Sequence, residues 1–362
     1  MAKTALLSAG GTGGHLFPAQ ALAQELKSRG WTIHLATDPR AKRFVDQFPA
    51  DEVHIVESAT FKSKNPIALA KTAMQLALGY LRSRKLISQI RPSVVVGFGG
   101  YPTVPPLLAA THCKVPTILH EQNAVVGRAN RFLANRVTAL AGGFDLVDCE
   151  VNTGLSAVVT GNPLRQAAHD AAVVEYDQPN LGGEFRLLVF GGSQGASFFS
   201  QIVPEALALM QPNLFSRLKL TLQARSEDIK GTTEKLSELN IECDVSEFFA
   251  DLPDRIARSQ MVICRSGASS VSELALIGRP SLLVPLPGAL DDDQGANALL
   301  LEQVGGGQLI RQKELSEQKL CEILSHALQT PEALAIQAEN AKKAGVPDAA
   351  IKLADLVESN AL

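Results

Sequence analysis

The stretch TALLSAGGTGGH (Thr4–His15) and its echo FRLLVFGGSQG (Phe185–Gly195) decide the fold of this chain. Each begins with a short aliphatic run, turns sharply on glycines and enters a helical pattern; the two lie about 180 residues apart. Outward from the first, a helix is expected from about Pro18 to Arg29, then strands at Thr32–Ala36, Ser93–Val96, Thr117–His120 and Ala157–Thr160. From the second, strands follow at Leu218–Leu222, Met261–Cys264 and Ser281–Val284. Short β-rich runs alternating with longer helical patterns imply parallel sheets covered by helices. The expected class is therefore α/β, with two doubly wound Rossmann-like domains facing each other across a cleft. The turn-prone Gly161-Asn162-Pro163 divides them, giving domains 1–162 and 163–345. Gly345-Val346-Pro347 then breaks the pattern before a terminal helix within 346–362, which could pack on either domain and is assigned to the first. Ligands of open parallel sheets bind outside the carboxyl ends of the strands, so a site built from loops of both domains is expected.

Composition supports this reading. Of 362 residues, 46% are hydrophobic and 20% charged, enough apolar material for two cores and too much for a disordered or disulfide-stapled chain. Lys and Arg number 34 against 37 Asp and Glu, a net charge of −3, so no cationic excess points to nucleic acid. Cys113, Cys149, Cys243, Cys264 and Cys321 are scattered without close pairing, which reads as a reducing compartment. No secretory leader is expected at the amino terminus. Pro92–Cys113 holds 22 consecutive uncharged residues, but its prolines and glycines favour a buried strand, a tight loop and a short helix over a membrane span.

Four motifs carry chemistry. In GGTGGH (Gly10–His15), glycines let the backbone approach a ligand and aim N–H groups at an anion. No Gly-Lys-Ser/Thr follows, and Leu16 spoils a dinucleotide fingerprint, although Asp38 could imitate a ribose-binding acid. His15 suits proton removal at neutral pH, unless it merely caps or packs there. His120-Glu121-Gln122-Asn123 closes a strand with four polar side chains, which serve either a ligand or their own loop. In CRSGASSVSE (Cys264–Glu273), hydroxyls at a helix start make a pocket for a pyrophosphate, with Glu273 placed for a ribose diol. Capping by Ser269 or Ser270 is the plainer alternative. Asp291-Asp292-Asp293-Gln294 contains a D-x-D spacing able to hold a cation, but such loops are more often solvated.

Together, GGTGGHLFPA, GFGGYPTVPP, HEQNAVVGRANR, TGNPLR, VFGGSQGA, CRSGASSVSEL and VPLPGALDDDQGANA resemble, in order and over nearly the whole chain, a family of bacterial glycosyltransferases. Its members have the GT-B fold and add N-acetylglucosamine to lipid I, making lipid II, the peptidoglycan precursor. The resemblance implies an inverting transfer from UDP-N-acetylglucosamine (UDP-GlcNAc) to the muramoyl C4 hydroxyl. It implies that Ser193 and the turn of Ala268, Ser269 and Ser270 hold the pyrophosphate, with Val271 and Ser272 also among the UDP-GlcNAc-binding positions. Glu273 takes the ribose, the backbone near Phe249 the uracil, and Gln294 and Asn297 the sugar hydroxyls. Thr12, Gly13, Gly14, Asn123 and Arg165 also match donor-site positions. His15 is the expected base, with Glu121 and then His120 behind it. No cofactor is expected, and no metal at Asp291–Asp293. Asp293 stands where the family usually has histidine, Gln223-Ala224-Arg225 where Gln-Thr-Gly is usual, and Thr103 where serine is common.

A lipid acceptor requires a membrane surface. From Thr60 to Pro92 there is no Asp or Glu, while Lys62, Lys64, Lys71, Arg82, Arg84, Lys85 and Arg91 are present. Ile67, Met74, Leu78 and Leu81 form one apolar stripe of the intervening helix, and Leu69, Ala73, Leu76 and Tyr80 another. Such a helix is either fully buried or dips one face into lipid. The expectation is a peripheral protein on an anionic inner-membrane surface, at its cytoplasmic face, with cell-wall synthesis or division proteins as candidate partners. The competing readings are another GT-B enzyme, such as a lipid glucosyltransferase or a UDP-GlcNAc 2-epimerase, a nicotinamide-dependent oxidoreductase, and an inactive membrane scaffold.

Overall fold

A computed structural model describes residues 3–41, 46–56, 65–146, 157–192, 197–288 and 291–362, without the side chains of 66–69. The chain forms two compact units: residues 1–165 with 348–362, and residues 166–347.

In the first unit, strands β1 (Thr4–Ser8), β2 (Thr32–Thr37), β3 (Glu52–Ile55), β4 (Val94–Gly97), β5 (Thr117–Glu121), β6 (Ala139–Gly142) and β7 (Val158–Val159) form a parallel sheet in the order β3-β2-β1-β4-β5-β6-β7. Its helices are α1 (Gly13–Ser28), α2 (Pro66–Ile90), α3 (Val104–His112) and α4 (Arg128–Ala134). In the second unit, β8 (Phe185–Phe190), β9 (Leu218–Gln223), β10 (Glu242–Ser246), β11 (Met261–Cys264), β12 (Ser281–Leu283) and β13 (Gly307–Leu309) follow the order β10-β9-β8-β11-β12-β13, again parallel. Its helices are α5 (Gln166–Ala172), α6 (Ser197–Ala208), α7 (Pro212–Phe215), α8 (Ser226–Glu238), α9 (Leu252–Arg258), α10 (Ala268–Ile277), α11 (Asp293–Gln303), α12 (Glu317–Gln329) and α13 (Pro331–Lys343). The terminal helix α14 (Ala349–Asn360) returns to the first unit.

Period-two alternation in the strands sends apolar side chains to both faces. Ala5 and Leu7 pack with Ile33, Val96, Leu22 and Leu26, and α14 closes that layer with Leu353 and Val357. Leu6 on the same strand packs the other way, with Val95, Ile87 and Leu107. Ion pairs fasten α14: Arg29 reaches Asp355 at 2.6 Å and Glu358 at 2.8 Å, and Trp31 Nε1 donates to Glu358 at 3.1 Å.

Both sheets reverse direction of assembly beside their first strand, at β1/β4 and at β8/β11. Ligand crevices of doubly wound sheets form at such switch points, outside the carboxyl ends. The glycine loops leave β1, β4 and β8 there, and Arg265-Ser266-Gly267 leaves β11.

The expected helix from Pro18 begins at Gly13 instead, with Pro18 inside it. Thr12 C=O accepts from both His15 N (3.1 Å) and Leu16 N (3.0 Å), so the glycine turn is itself the first helical turn and carries His15 on the helix. Four strands fall outside the sequence expectations: β3 and β10 carry charged residues at the described sheet edges, β6 is ALAG without β-branching, and β13 is only 3 residues long.

Candidate active site

Asp38 builds the first loop and is unavailable as a ribose acid. It is 3% exposed; its Oδ2 accepts from Gly11 N at 3.2 Å and from Arg40 Nη2 at 2.7 Å, and its Oδ1 from Arg40 Nε at 3.0 Å. Burial alone would raise its carboxyl, but these hydrogen bonds outweigh burial and hold it below the usual range. Gly11 has no room for a side chain, since a Cβ there would lie 2.7 Å from Asp38 Oδ1 and from Ala41 N. Beyond it, Thr12 is exposed at the cap position of α1, and its hydroxyl makes no capping bond.

The His15 ring lies among the glycines of both loops: a Cβ at Gly10, Gly99 or Gly100 would sit 3.3–3.4 Å from it. His15 Nδ1 is 3.1 Å from Gln122 Oε1. Gln122 Nε2 lies 3.1 Å from the His120 carbonyl and 3.1 Å from His120 Nδ1. A main-chain carbonyl can only accept, so the amide nitrogen belongs on that side and the amide oxygen faces His15. His15 must then donate from Nδ1, which leaves the lone pair on Nε2. His120 accepts at Nδ1 and donates from Nε2 to the Gly161 carbonyl at 3.1 Å. Every proton in the chain Gly161–His120–Gln122–His15 is thereby assigned. Asn162 braces it, donating to the Gln122 carbonyl at 2.9 Å. His15 Nε2 makes no hydrogen bond among the described residues.

His120 is fully buried, and burial pushes its pKa down to about 4, although its bond to Gly161 opposes that shift. It therefore stays neutral, as an internal link with no solvent-facing proton. An unfolded histidine takes up a proton below about pH 6.5, while this one does so only near 4; acid in that window favours unfolding. The wild type should lose up to about 3 kcal/mol of stability between neutrality and pH 4 through this group. Melting curves across that range should fall more steeply for wild type than for His120→Asn; equal slopes would remove the assignment.

Glu121, the second candidate base, organises its own loop. Its carboxylate is 2% exposed; Oε1 accepts from Asn123 N (3.0 Å) and Asn123 Nδ2 (3.2 Å), and Oε2 from Gly127 N (2.9 Å) and Asn130 Nδ2 (2.7 Å). Four donors occupy both oxygens and shape the Gln122–Gly127 loop before α4. Arg165 stacks on Phe17, guanidinium carbon 4.2 Å from the ring centroid. Gly13 admits that ring, because a Cβ there would meet Phe17 at 2.9 Å. A cation therefore lies by the first turn of α1, whose N-terminal N–H groups favour anions.

In the second unit, Gly267 caps α10 and the helix's own first bond runs from Val271 N to the Gly267 carbonyl. The N–H groups of Ala268, Ser269 and Ser270 precede that bond, as orphan donors at a helix start. Ser269 and Ser270 are within the helix, so neither is its cap residue. Ser269, Ser270 and Ser272 are partly exposed, Val271 is turned into the core at 1% exposure, and Glu273 is 6% exposed in the second turn. Arg265 is no anion ligand here. It donates to the Val284 and Pro285 carbonyls, each at 3.0 Å, and to Gln312 Oε1 at 2.6 Å, fixing the exit of β12.

Gln294 Oε1 accepts from Leu286 N at 2.9 Å, and its carbonyl accepts from the Ser266 hydroxyl at 2.8 Å. Asn297, one turn on, is fully buried and donates to the Ser266 carbonyl at 3.2 Å. It props the turn before α10. Phe249 is 7% exposed beneath the Arg255 guanidinium, at 4.2 Å. Asp292 forms a two-pronged pair with Arg311 at 2.5 and 2.6 Å, and Gly295 leaves space for it. The central carboxylate of the acidic loop is thus spent on a guanidinium. Gln223, in the departing Gln-Ala-Arg string, holds the first glycine turn of this unit, accepting from Gly191 N at 3.1 Å and donating to the Glu247 carbonyl at 3.0 Å. Ser193, Cys149, Lys62, Lys64 and the side chains of Ile67 and Leu69 lie outside the described residues.

Sequence reasoning missed Gln122, Phe17 and Arg265 as working parts. Gln122 carried a signal, as one of four successive polar residues at a strand's end.

The glycosyltransferase family 28 N-terminal domain matches residues 5–141, and the family 28 C-terminal domain residues 186–353. A relative from Chelativorans sp. (strain BNC1) is 54% identical over 357 residues, 99% of this chain and 95% of its own length. One from Sinorhizobium fredii is 56% identical over 353 residues, 98% and 94% respectively. Both bear the name UDP-N-acetylglucosamine–N-acetylmuramyl-(pentapeptide) pyrophosphoryl-undecaprenol N-acetylglucosamine transferase. Among solved structures, Acinetobacter baumannii MurG matches at TM-score 0.79 and 25% identity over 99% of both chains. A UDP-N-acetylglucosamine 2-epimerase matches in fold, at TM-score 0.68 and 14% identity, over 97% of this chain and 94% of that one.

Proposed function

This chain belongs to glycosyltransferase family 28, and on that premise we propose that it transfers N-acetylglucosamine from UDP-GlcNAc to the muramoyl C4 hydroxyl of lipid I, giving lipid II for peptidoglycan synthesis. The observation that carries this reading is identity of 54% and 56% with transferases of that name over nearly the whole length of both partners. The fold shared with the epimerase supports only the common architecture.

The chemistry is a single inverting displacement. The acceptor oxygen attacks the anomeric carbon of the α-linked donor, the bond from that carbon to the β-phosphate oxygen breaks, and a β-1,4 linkage forms. The hydroxyl proton passes to His15 Nε2, the nitrogen left open by the Gln122 bond. UDP departs with growing negative charge. The orphan N–H groups of Ala268–Ser270, the hydroxyls of Ser269 and Ser270, and Ser193 meet that charge. Thr12, Gly13, Gly14 and Arg165 supply a second set of donors, with Asn123 on the loop that Glu121 shapes. Glu273 takes the ribose hydroxyls, the backbone at Phe249 the uracil, and Gln294 the sugar, with Asn297 supporting the turn. Asp292 is engaged by Arg311, and the acidic loop takes no metal in this mechanism. A purified sample given labelled UDP-GlcNAc and a lipid I analogue should yield labelled disaccharide product, and none from UDP-glucose. Donor hydrolysis or epimerisation without transfer would overturn the assignment.

In this reading the unit of residues 1–165 and 348–362 serves the lipid acceptor and the unit of residues 166–347 the donor. Among the described residues no helix is long and apolar enough to cross a membrane. Helix α2 buries Thr72, Ser83 and Ile87 and exposes Met74 (58%), Leu78 (43%) and Leu81 (58%) beside exposed Lys71, Arg82, Arg84, Lys85 and Arg91. Met74, Leu78 and Leu81 of the first apolar stripe thus face outward, whereas Tyr80 of the second packs on the core and Ala73 is exposed. We assign this face to peripheral docking on an anionic leaflet at the cytoplasmic side of the inner membrane, where each such cation contributes about 1 kcal/mol. Converting Met74, Leu78 and Leu81 together to glutamate should reduce co-sedimentation with anionic vesicles by an order of magnitude or more, while transfer to a water-soluble acceptor persists. Unchanged vesicle binding would exclude this face.

A further inference from the structure

Away from the glycine loops, β2 and β3 bring two imidazoles and a carboxylate together. In the parallel register His34 pairs with Glu52, and Ala36 with His54, so strand alternation puts all three side chains on one face of the sheet. His34 Nδ1 lies 2.9 Å from His54 Nε2, and Glu52 Oε2 lies 3.7 Å from the first and 3.8 Å from the second. A triangle of these dimensions lets one ion sit about 2 Å from all three atoms, the bonding distance of zinc to imidazole nitrogen and carboxylate oxygen. The side chains are 13%, 17% and 63% exposed for His34, His54 and Glu52, so the nitrogens are sheltered and the carboxylate opens to solvent. Among the described residues it is the only such cluster of histidine, cysteine or acidic ligands.

We propose that His34, His54 and Glu52 form a binding site for a divalent transition ion of the zinc class, with water completing its coordination. Two nitrogen ligands favour that class over magnesium or calcium, which take oxygen. Without the ion, one of the two facing nitrogens must carry the proton that bridges the pair. On binding, the ion replaces that bridge: the ring whose facing nitrogen held the proton releases it to solvent and takes one up on its other nitrogen, where the second ring already carries its own. The site lies within β2 and β3, at the third residue of β2 and the first and third of β3, whereas the glycine loops leave the carboxyl ends of β1 and β4. Its effect is therefore structural: it ties the edge strand β3 to β2, and it takes no part in sugar transfer.

The test uses the full chain, stripped with chelator and titrated with zinc against a chromophoric competitor. One equivalent should bind, raise the melting temperature and leave transfer activity unaltered, and magnesium should do neither. Glu52→Gln alters only an exposed side chain and should weaken zinc binding at least about tenfold. The double variant His34→Gln/His54→Gln should lose the equivalent and the thermal shift. Absence of zinc binding to wild type, or an undiminished equivalent in Glu52→Gln and in a folded double variant, would overturn the proposal.

Discussion

His15→Ala is expected to lower kcat by roughly 10²–10⁴-fold, the usual contribution of a positioned base, while affinity for UDP-GlcNAc stays within a few-fold of wild type. The expectation rests on proton bookkeeping. His15 donates from Nδ1 to Gln122, so Nε2 is the acceptor nitrogen, and it makes no hydrogen bond among the described residues. The other two candidates are committed elsewhere. Glu121 has both oxygens filled by four donors, and His120 is an enclosed link whose two nitrogens are both engaged. Gly10, Gly99 and Gly100 border the ring, and its truncation unpairs no buried charge, only the part-buried Gln122 amide oxygen. The melting temperature should therefore shift little. Near-full turnover by His15→Ala would remove it from the role.

The second large effect belongs to Gln122, a positioning residue. Gln122→Met keeps the volume but removes both the acceptor for His15 Nδ1–H and the donor to His120. The His15 tautomers would then mix, and kcat should fall by about 10–10²-fold, as loss of a group that orients a catalytic ring does. Gln122→Glu keeps an acceptor for His15 but loses the donor and buries a charge beside the His120 carbonyl. It should retain more kcat than Gln122→Met while losing more stability, since an unpaired buried charge costs more than an unmade hydrogen bond. The two readouts thus run in opposite orders. If kcat instead follows stability through both variants, Gln122 is structural only.

The repeated strand, glycine turn and helix were legible in sequence because each demands its own residue type. A parallel strand buried on both faces needs aliphatic runs such as Leu187–Phe190, and a close turn such as Gly11 tolerates no Cβ. The motif positions were legible for the same reason. Their division of labour was not. Glu121 reads as a base until Asn123, Gly127 and Asn130 are folded back onto it. Asp38 reads as a ribose acid until Arg40 and Gly11 are seen to occupy it. Asp292 meets an arginine nineteen positions away, and the relay joins residues 15, 120, 122 and 161. Such pairings are fixed by strand order and loop closure, which no local window of sequence contains. Strand β6 gives no residue-type signal because its residues are small, and β3 gives none because Glu52 and His54 interrupt its four-residue run.

The most direct test of the proton assignment is nitrogen NMR of histidine-labelled protein at mildly alkaline pH, with the His15 ring identified by its loss in His15→Ala. The account predicts a protonated Nδ1 and an unprotonated Nε2 for that ring. A protonated Nε2 would contradict it, because the nitrogen meant to receive the acceptor's proton would already hold one.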